Sequence, residues 1–210
     1  NLGIARINTG TTAGGIGILQ PFNWGGTNGN VPVQRWGIGS ANYTVNRLIH
    51  KICLDTPSNS TDRYSVIAGW YTPSDGFEPR SGVYFLYEDD INGGNWVCKC
   101  RLQNSSTVLN TSIAPVFSSG GALTHWQELM CEFVGNGNSG AGILNFYLRD
   151  INDTAIGPWQ SLGSISTNIP YDNGDFGQVV HPGLMIARVS GSTNDCYAYT
   201  DYYLERNFIV

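Results

Sequence analysis

The sharpest alternation of apolar and polar positions runs from Gly82-Val-Tyr-Phe-Leu-Tyr87, through a polar turn from Glu88 to Gly94, into Asn95-Trp-Val-Cys-Lys-Cys100. Two aromatic-rich runs joined by acidic and Gly-Gly turn chemistry predict a β-hairpin. Val83, Phe85 and Tyr87 share one face, and Tyr84 and Leu86 the other. Both faces are therefore large and apolar, as in a central sandwich strand or one covered by a subunit neighbour. Cys98 and Cys100, two apart, point to a common side.

The same pattern recurs along the chain. Residues Thr9 to Gly39 are rich in Gly and Asn and read as loops and edge strands, among them Ile16 to Leu19 and Val31 to Val33. From Arg47, Leu48, His50, Ile52 and Leu54 alternate with Ile49, Lys51 and Cys53, a strand apolar on more than one side. Pro57 to Asp62 is a turn, Tyr64 to Tyr71 a strand, Pro73 to Pro79 a loop and Arg101 to Leu109 a further segment. Val116 to Gly121 connects it to Trp126–Phe133, where Leu129, Cys131 and Phe133 share one face and Glu128 and Glu132 the other, solvent-facing one. Gly135 to Gly142 predicts a turn, Ile143 to Arg149 a strand with Leu144, Phe146 and Leu148 inward, and Asp150 to Thr154 a turn. Gly183 to Ser190 and Tyr197 to Glu205 are the last two strands. Short strands at close spacing, with no convincing helix and no long repeat, mean a sandwich or barrel.

The 210 residues suit one domain, with residues 1–45 as Gly/Asn-rich strands and loops of that domain and 46–210 as its β-sandwich. Gly at 27 residues, aromatics at 12% and charged residues at 13% agree with a turn-rich β protein. A net charge of -5, with 11 scattered basic residues, argues against nucleic acid as a partner. No apolar run reaches the roughly 20 residues of a membrane span, so no membrane insertion is expected. No leader is evident, and a start at Asn1 without Met is expected to reflect trimming or processing. The five cysteines are odd in number and lack CxxC or zinc-ligand spacing, which predicts free, buried thiols made in a reducing compartment. Asn-x-Ser/Thr sequons at Asn42, Asn59, Asn104, Asn110 and Asn152 are expected from chance in so Asn- and Ser/Thr-rich a chain.

Catalytic motifs are scarce. A glycosidase needs two carboxylates flanking a cleft, and Glu128 with Glu132, about 13 Å apart by strand rise, is too wide for a retaining pair. Asp89 and Asp90 are adjacent and point apart, so the acidic turn from Glu88 to Asp90 reads as solvated loop, and His50, His125 and His181 have no GxSxG partner. Asp172-Asn-Gly-Asp175 offers oxygen ligands of the kind Ca²⁺ takes, but lacks a full calcium-loop pattern and reads as a turn; Asp150, Asn152 and Asp153 read the same way. No metal or other cofactor is expected. Of the six Trp residues, Trp96 and Trp126 fall within strand patterns and suit packing, whereas Trp24 and Trp159 lie in loops beside Gly or Pro. Loop aromatics stack on the apolar faces of sugars, with Asn, Asp and backbone groups supplying hydrogen bonds.

From Arg47 onward the order of motifs resembles the concanavalin A-like, lectin/glucanase-type jelly-roll domain of bacteriophage virion appendages such as tail fibres, knobs and head fibres. Asp62-Arg-Tyr-Ser-Val66 leading to Ala68-Gly-Trp70, Gly82 to Tyr87, Asn95-Trp96 and Trp126 to Phe133 carry the resemblance. So do Leu144-Asn-Phe-Tyr-Leu148, Thr167-Asn-Ile-Pro170, Pro182-Gly-Leu-Met-Ile186 and Thr200-Asp-Tyr-Tyr-Leu204. It implies an all-β, antiparallel two-sheet jelly-roll sandwich. It further implies a noncatalytic module at the virion surface, assembled in the host cytoplasm, displayed as a homotrimer and binding a host-surface glycan or another virion protein. The clustered Glu/Asp strand motif of the family's enzymes is absent, and Arg149-Asp-Ile-Asn-Asp153 stands where the family has a short Asn-Gly turn. The residues expected to contact a ligand are Trp159, Tyr171, Asp172 and Asp175, aromatic and oxygen-bearing groups on neighbouring loops. The alternatives are a purely structural capsid or tail decoration protein and a polysaccharide-degrading sandwich enzyme.

Overall fold

The computed structural model describes residues 4–19, 44–72, 78–103, 105–118, 123–136, 141–152, 155–170, 180–191 and 194–209. Its strands in chain order are β1 (Ala5–Asn8), β2 (Ile16–Leu19), β3 (Thr44–Leu54), β4 (Arg63–Tyr71), β5 (Gly82–Tyr87), β6 (Val97–Leu102) and β7 (Ser105–Asn110). They continue with β8 (His125–Asn136), β9 (Ala141–Asn152), β10 (Ala155–Ile156), β11 (Gln160–Ile165), β12 (His181–Ser190) and β13 (Tyr197–Ile209). One sheet has seven strands in the order β1-β13-β3-β8-β9, with β10 and β11 both on the far edge of β9. The other has six, in the order β2-β12-β4-β5-β6-β7. The chain passes repeatedly between the sheets and every ladder is antiparallel. This is the two-sheet jelly-roll sandwich that the strand pattern and the resemblance imply.

The inward residues of both sheets form one core. Leu48 and Ile52 of β3, Leu129, Cys131 and Phe133 of β8, and Leu144, Phe146 and Leu148 of β9 meet Val83, Phe85 and Tyr87 of β5 and their neighbours on β4 and β12. Phe85 of one sheet stands edge-on to Phe146 of the other at 5.5 Å, and within the β5–β6 hairpin Tyr87 stands edge-on to Trp96 at 6.0 Å. Each such buried side chain contributes about 1.5–3 kcal/mol. All five cysteines are free and buried, as their spacing predicts.

Two polar side chains in the interior are held by several partners each. Gln127, on the inward side of β8, accepts from Trp96 Nε1 at 2.9 Å and Val116 N at 3.2 Å, and donates to Ala114 O at 3.1 Å and Asp150 Oδ1 at 3.0 Å. The buried Arg188 donates to Asp62 Oδ1 at 2.9 Å, to Gly10 O at 3.0 Å and to Asn194 O, clasping three turns together. His50 is buried in the core, and burial pushes its imidazole down to about 4, a hydrogen bond to the Gly69 backbone opposing in part. Gly69 has no room for a side chain, since a Cβ there would lie 2.3 Å from Val83 O.

Four expectations change. Residues 101–109 are not continuous: Gln103, at φ 52, turns the chain between β6 and β7. Asp150 and Asn152 belong to β9 rather than to a turn. Strand β11 lies in a stretch where no strand pattern is evident. The acidic turn after β5 is tied down rather than simply solvated: Asp89 accepts from Ser58 Oγ at 2.7 Å and Arg63 Nε at 3.1 Å, and Arg63 also reaches Asp90 at 2.7 Å.

Candidate functional site

The outward side of β3, β8 and β9 carries three side-by-side rows fixed by strand register. They are Arg47–Glu132–Asn145, Ile49–Met130–Tyr147 and Lys51–Glu128–Arg149. On β11, Ser164 extends the first row beside Asn145 and Ser161 the second beside Tyr147. Alternation explains the sorting: Leu129, Cys131, Leu144, Phe146 and Leu148 fill the core, so the intervening residues face out.

The charged residues of this face are paired across strands. Nε and Nη2 of Arg149 both reach Glu128 Oε2 at 2.5 Å, although the two residues are 21 apart in sequence. Arg47 donates to Glu132 Oε2, and Asn145 Nδ2 donates to Glu132 Oε1 at 3.2 Å. The Tyr147 hydroxyl reaches the same oxygen at 3.5 Å, and burial together with that carboxylate pushes its pKa above the usual phenol value. Lys51 donates to Asp201 at 2.8 Å. Glu128 and Glu132 are thus not the solvent-facing carboxylates that the alternation suggests. Both are buried, because arginines from the flanking strands close over them.

Two tryptophans flank the rows. Trp126 is buried, donates Nε1 to Leu123 O at 2.9 Å and lies 5.1 Å beneath Lys51 Nζ, so packing is its role, as expected. Trp159, immediately before β11, is half-buried, and the Arg149 guanidinium sits 4.4 Å from its ring centroid. Of the ligand-contacting residues expected from sequence, Trp159 is therefore placed on this face; Tyr171, Asp172 and Asp175 lie outside the described residues, as does Trp24. Arg149, Tyr147 and Asn145 are the site residues that sequence reasoning missed. The available signal was the outward half of the alternation already used to bury Leu144, Phe146 and Leu148.

Chemically, the patch combines a guanidinium over an indole ring with hydroxyl and amide groups in adjacent rows. Those are the elements with which proteins hold saccharide rings and their hydroxyls. Among the described residues no group of three His, Cys, Asp or Glu side chains converges as a metal site.

No protein-family model matches the chain. No curated protein matches it either. Similar solved structures include peanut lectin bound to a nine-residue peptide, at 10% identity and TM-score 0.49, covering 100% of this chain and 93% of that one. The carbohydrate recognition domain of Emp46p in its potassium-bound form is similar at 11% identity and TM-score 0.46, covering 95% and 82%. A GH43 protein from Bacillus licheniformis is similar at 13% identity and TM-score 0.38, covering 79% of this chain but only 28% of the larger protein.

Proposed function

We propose that this chain is a noncatalytic glycan-binding module, the tip or knob of a bacteriophage virion appendage, that docks a host-surface saccharide on the outer face of its seven-stranded sheet. The observation that carries the reading is the Trp159 indole held against Arg149 beside the polar rows of Tyr147, Ser161, Asn145 and Ser164. Binding is favoured over hydrolysis because the carboxylates closest to a catalytic pair, Glu128 and Glu132, are each engaged by an arginine. The virion setting and the homotrimer rest on the resemblance of the motifs between Arg47 and Leu204.

The test is adsorption of the fluorescently labelled domain to a panel of bacterial cells, before and after periodate cleavage of surface sugars. Adsorption lost on periodate treatment and in Trp159→Ala supports the reading. Assembly onto virions without cell adsorption instead makes the domain a structural decoration. Release of reducing ends or unsaturated sugars makes it an enzyme. Native mass spectrometry of the domain reads the trimer directly.

A further inference from the structure

We infer that the patch around Arg149 selects a carboxylate-bearing saccharide, a uronate or a sialate, over its neutral counterpart. The inference rests on the glycan-binding reading of the same face and adds the ligand's charge.

Its first support is the depth of the charges. In the Arg149–Glu128 pair the arginine side chain is 25% exposed and the glutamate 1%; in the Arg47–Glu132 pair the figures are 44% and 9%. A ligand on this face therefore meets guanidinium groups, with their counter-charges beneath and out of reach. Toward β13 the order reverses, with Lys51 at 18% and Asp201 at 29%, so the cations that stand outermost in their pairs on this face are Arg149 and Arg47.

The second support is donor accounting. A guanidinium has five N–H donors in a fixed fork. Arg149 directs Nε and Nη2 at one oxygen of Glu128, leaving the N–H groups of Nη1 and the far side of Nη2. That remaining edge is the one that grips a carboxylate through two parallel bonds. The Trp159 ring holds the guanidinium plane in place, so little side-chain freedom is lost when a ligand arrives. Tyr147 with Ser161, and Asn145 with Ser164, stand in the neighbouring rows, where the hydroxyls of the same sugar would fall.

The chain's net charge of -5 works against long-range attraction of an acidic polymer. Selectivity is accordingly a short-range property of the patch, expressed in the dissociation rate rather than in steered association.

The experiment is a glycan array of bacterial polysaccharides and oligosaccharides in which every uronate- and sialate-bearing glycan is printed beside its carboxyl-reduced form, probed with the whole chain. Because Arg149→Met alone removes an ion-pair partner of the buried Glu128, the variant is the Arg149→Met/Glu128→Gln double substitution, with its fold checked by circular dichroism. The expected result is binding to acidic glycans that weakens at least about tenfold on carboxyl reduction and by a similar factor in the double variant, the loss of one charge-assisted fork. The uronate and sialate arms separate the two sources of carboxylate. Equal binding of acidic and reduced forms, or undiminished acidic binding by the double variant, overturns the inference and leaves glycan binding standing. Absence of binding to any glycan overturns the glycan reading itself.

Discussion

The two outward faces of this sandwich are built alike and furnished oppositely. Across the six-stranded sheet, Met185, Ile67, Leu86 and Val97 form an apolar row in register, and with Tyr71 and Tyr84 they make a second buried cluster. Across the seven-stranded sheet the equivalent positions carry Lys51–Glu128–Arg149 and Arg47–Glu132–Asn145. Both faces hold residues withdrawn from water, but a buried Leu needs only contacts whereas a buried Glu needs a partner. Cross-strand arginines supply that partner, and in doing so they bring cations and an indole to the surface. One face therefore contributes stability, and the other gives up some apolar burial for directional chemistry.

The largest way to break this contrast is to put a charge on the apolar face. Leu86→Asp buries a carboxylate without a partner and is expected to cost at least about 4 kcal/mol, enough to leave the domain unfolded in a urea titration. A soluble, cooperatively folding Leu86→Asp protein would show that this face is not sealed.

A smaller effect comes from the core that the faces share. His50 titrates at about 4 in the fold against 6.5 unfolded, so the unfolded chain takes up its proton first. Stability from this group is whole above about pH 6.5, falls as the pH drops toward 4 and levels off below; the total is about 3 kcal/mol. His181, lowered in the same direction by burial, adds to the slope. Denaturation midpoints between pH 7 and 4 should fall accordingly, and His50→Gln should flatten most of the fall.

How much of this was legible in the sequence differs between the layers. Strands β4, β5, β8 and β12 were readable because their inward residues are apolar and alternate or run unbroken. Strand β11 was not: Gln-Ser-Leu-Gly-Ser-Ile has one fully buried residue, and its register shifts between Ser161 and Gly163. The candidate site was half legible. Trp159 stood out as a loop aromatic, but the burial of Glu128 and Glu132 depends on Arg149 and on Arg47, 85 residues from its partner, and only strand register brings such residues together. The polar half of an alternating strand looks the same whether water or an arginine covers it.

The charged face can be sharpened directly. Glu128→Gln leaves Arg149 without its ion pair and is expected to cost about 1–2 kcal/mol, less than a fully buried pair because the arginine keeps solvent contact. The freed guanidinium should also shift Trp159 fluorescence. No loss of stability and no spectral change would mean that the pair does not hold Arg149 in place.

The smallest stability effect belongs to the residue expected to have the largest effect on binding. Trp159→Ala should change unfolding by less than about 1 kcal/mol, since the ring is half-exposed. In a titration of the domain against the polysaccharide of an adsorbing cell, followed by calorimetry, saturable heat is expected for the unmodified chain and at least about a tenfold weaker association for Trp159→Ala. Equal affinity for the two proteins, with both folded, would contradict glycan binding on this face.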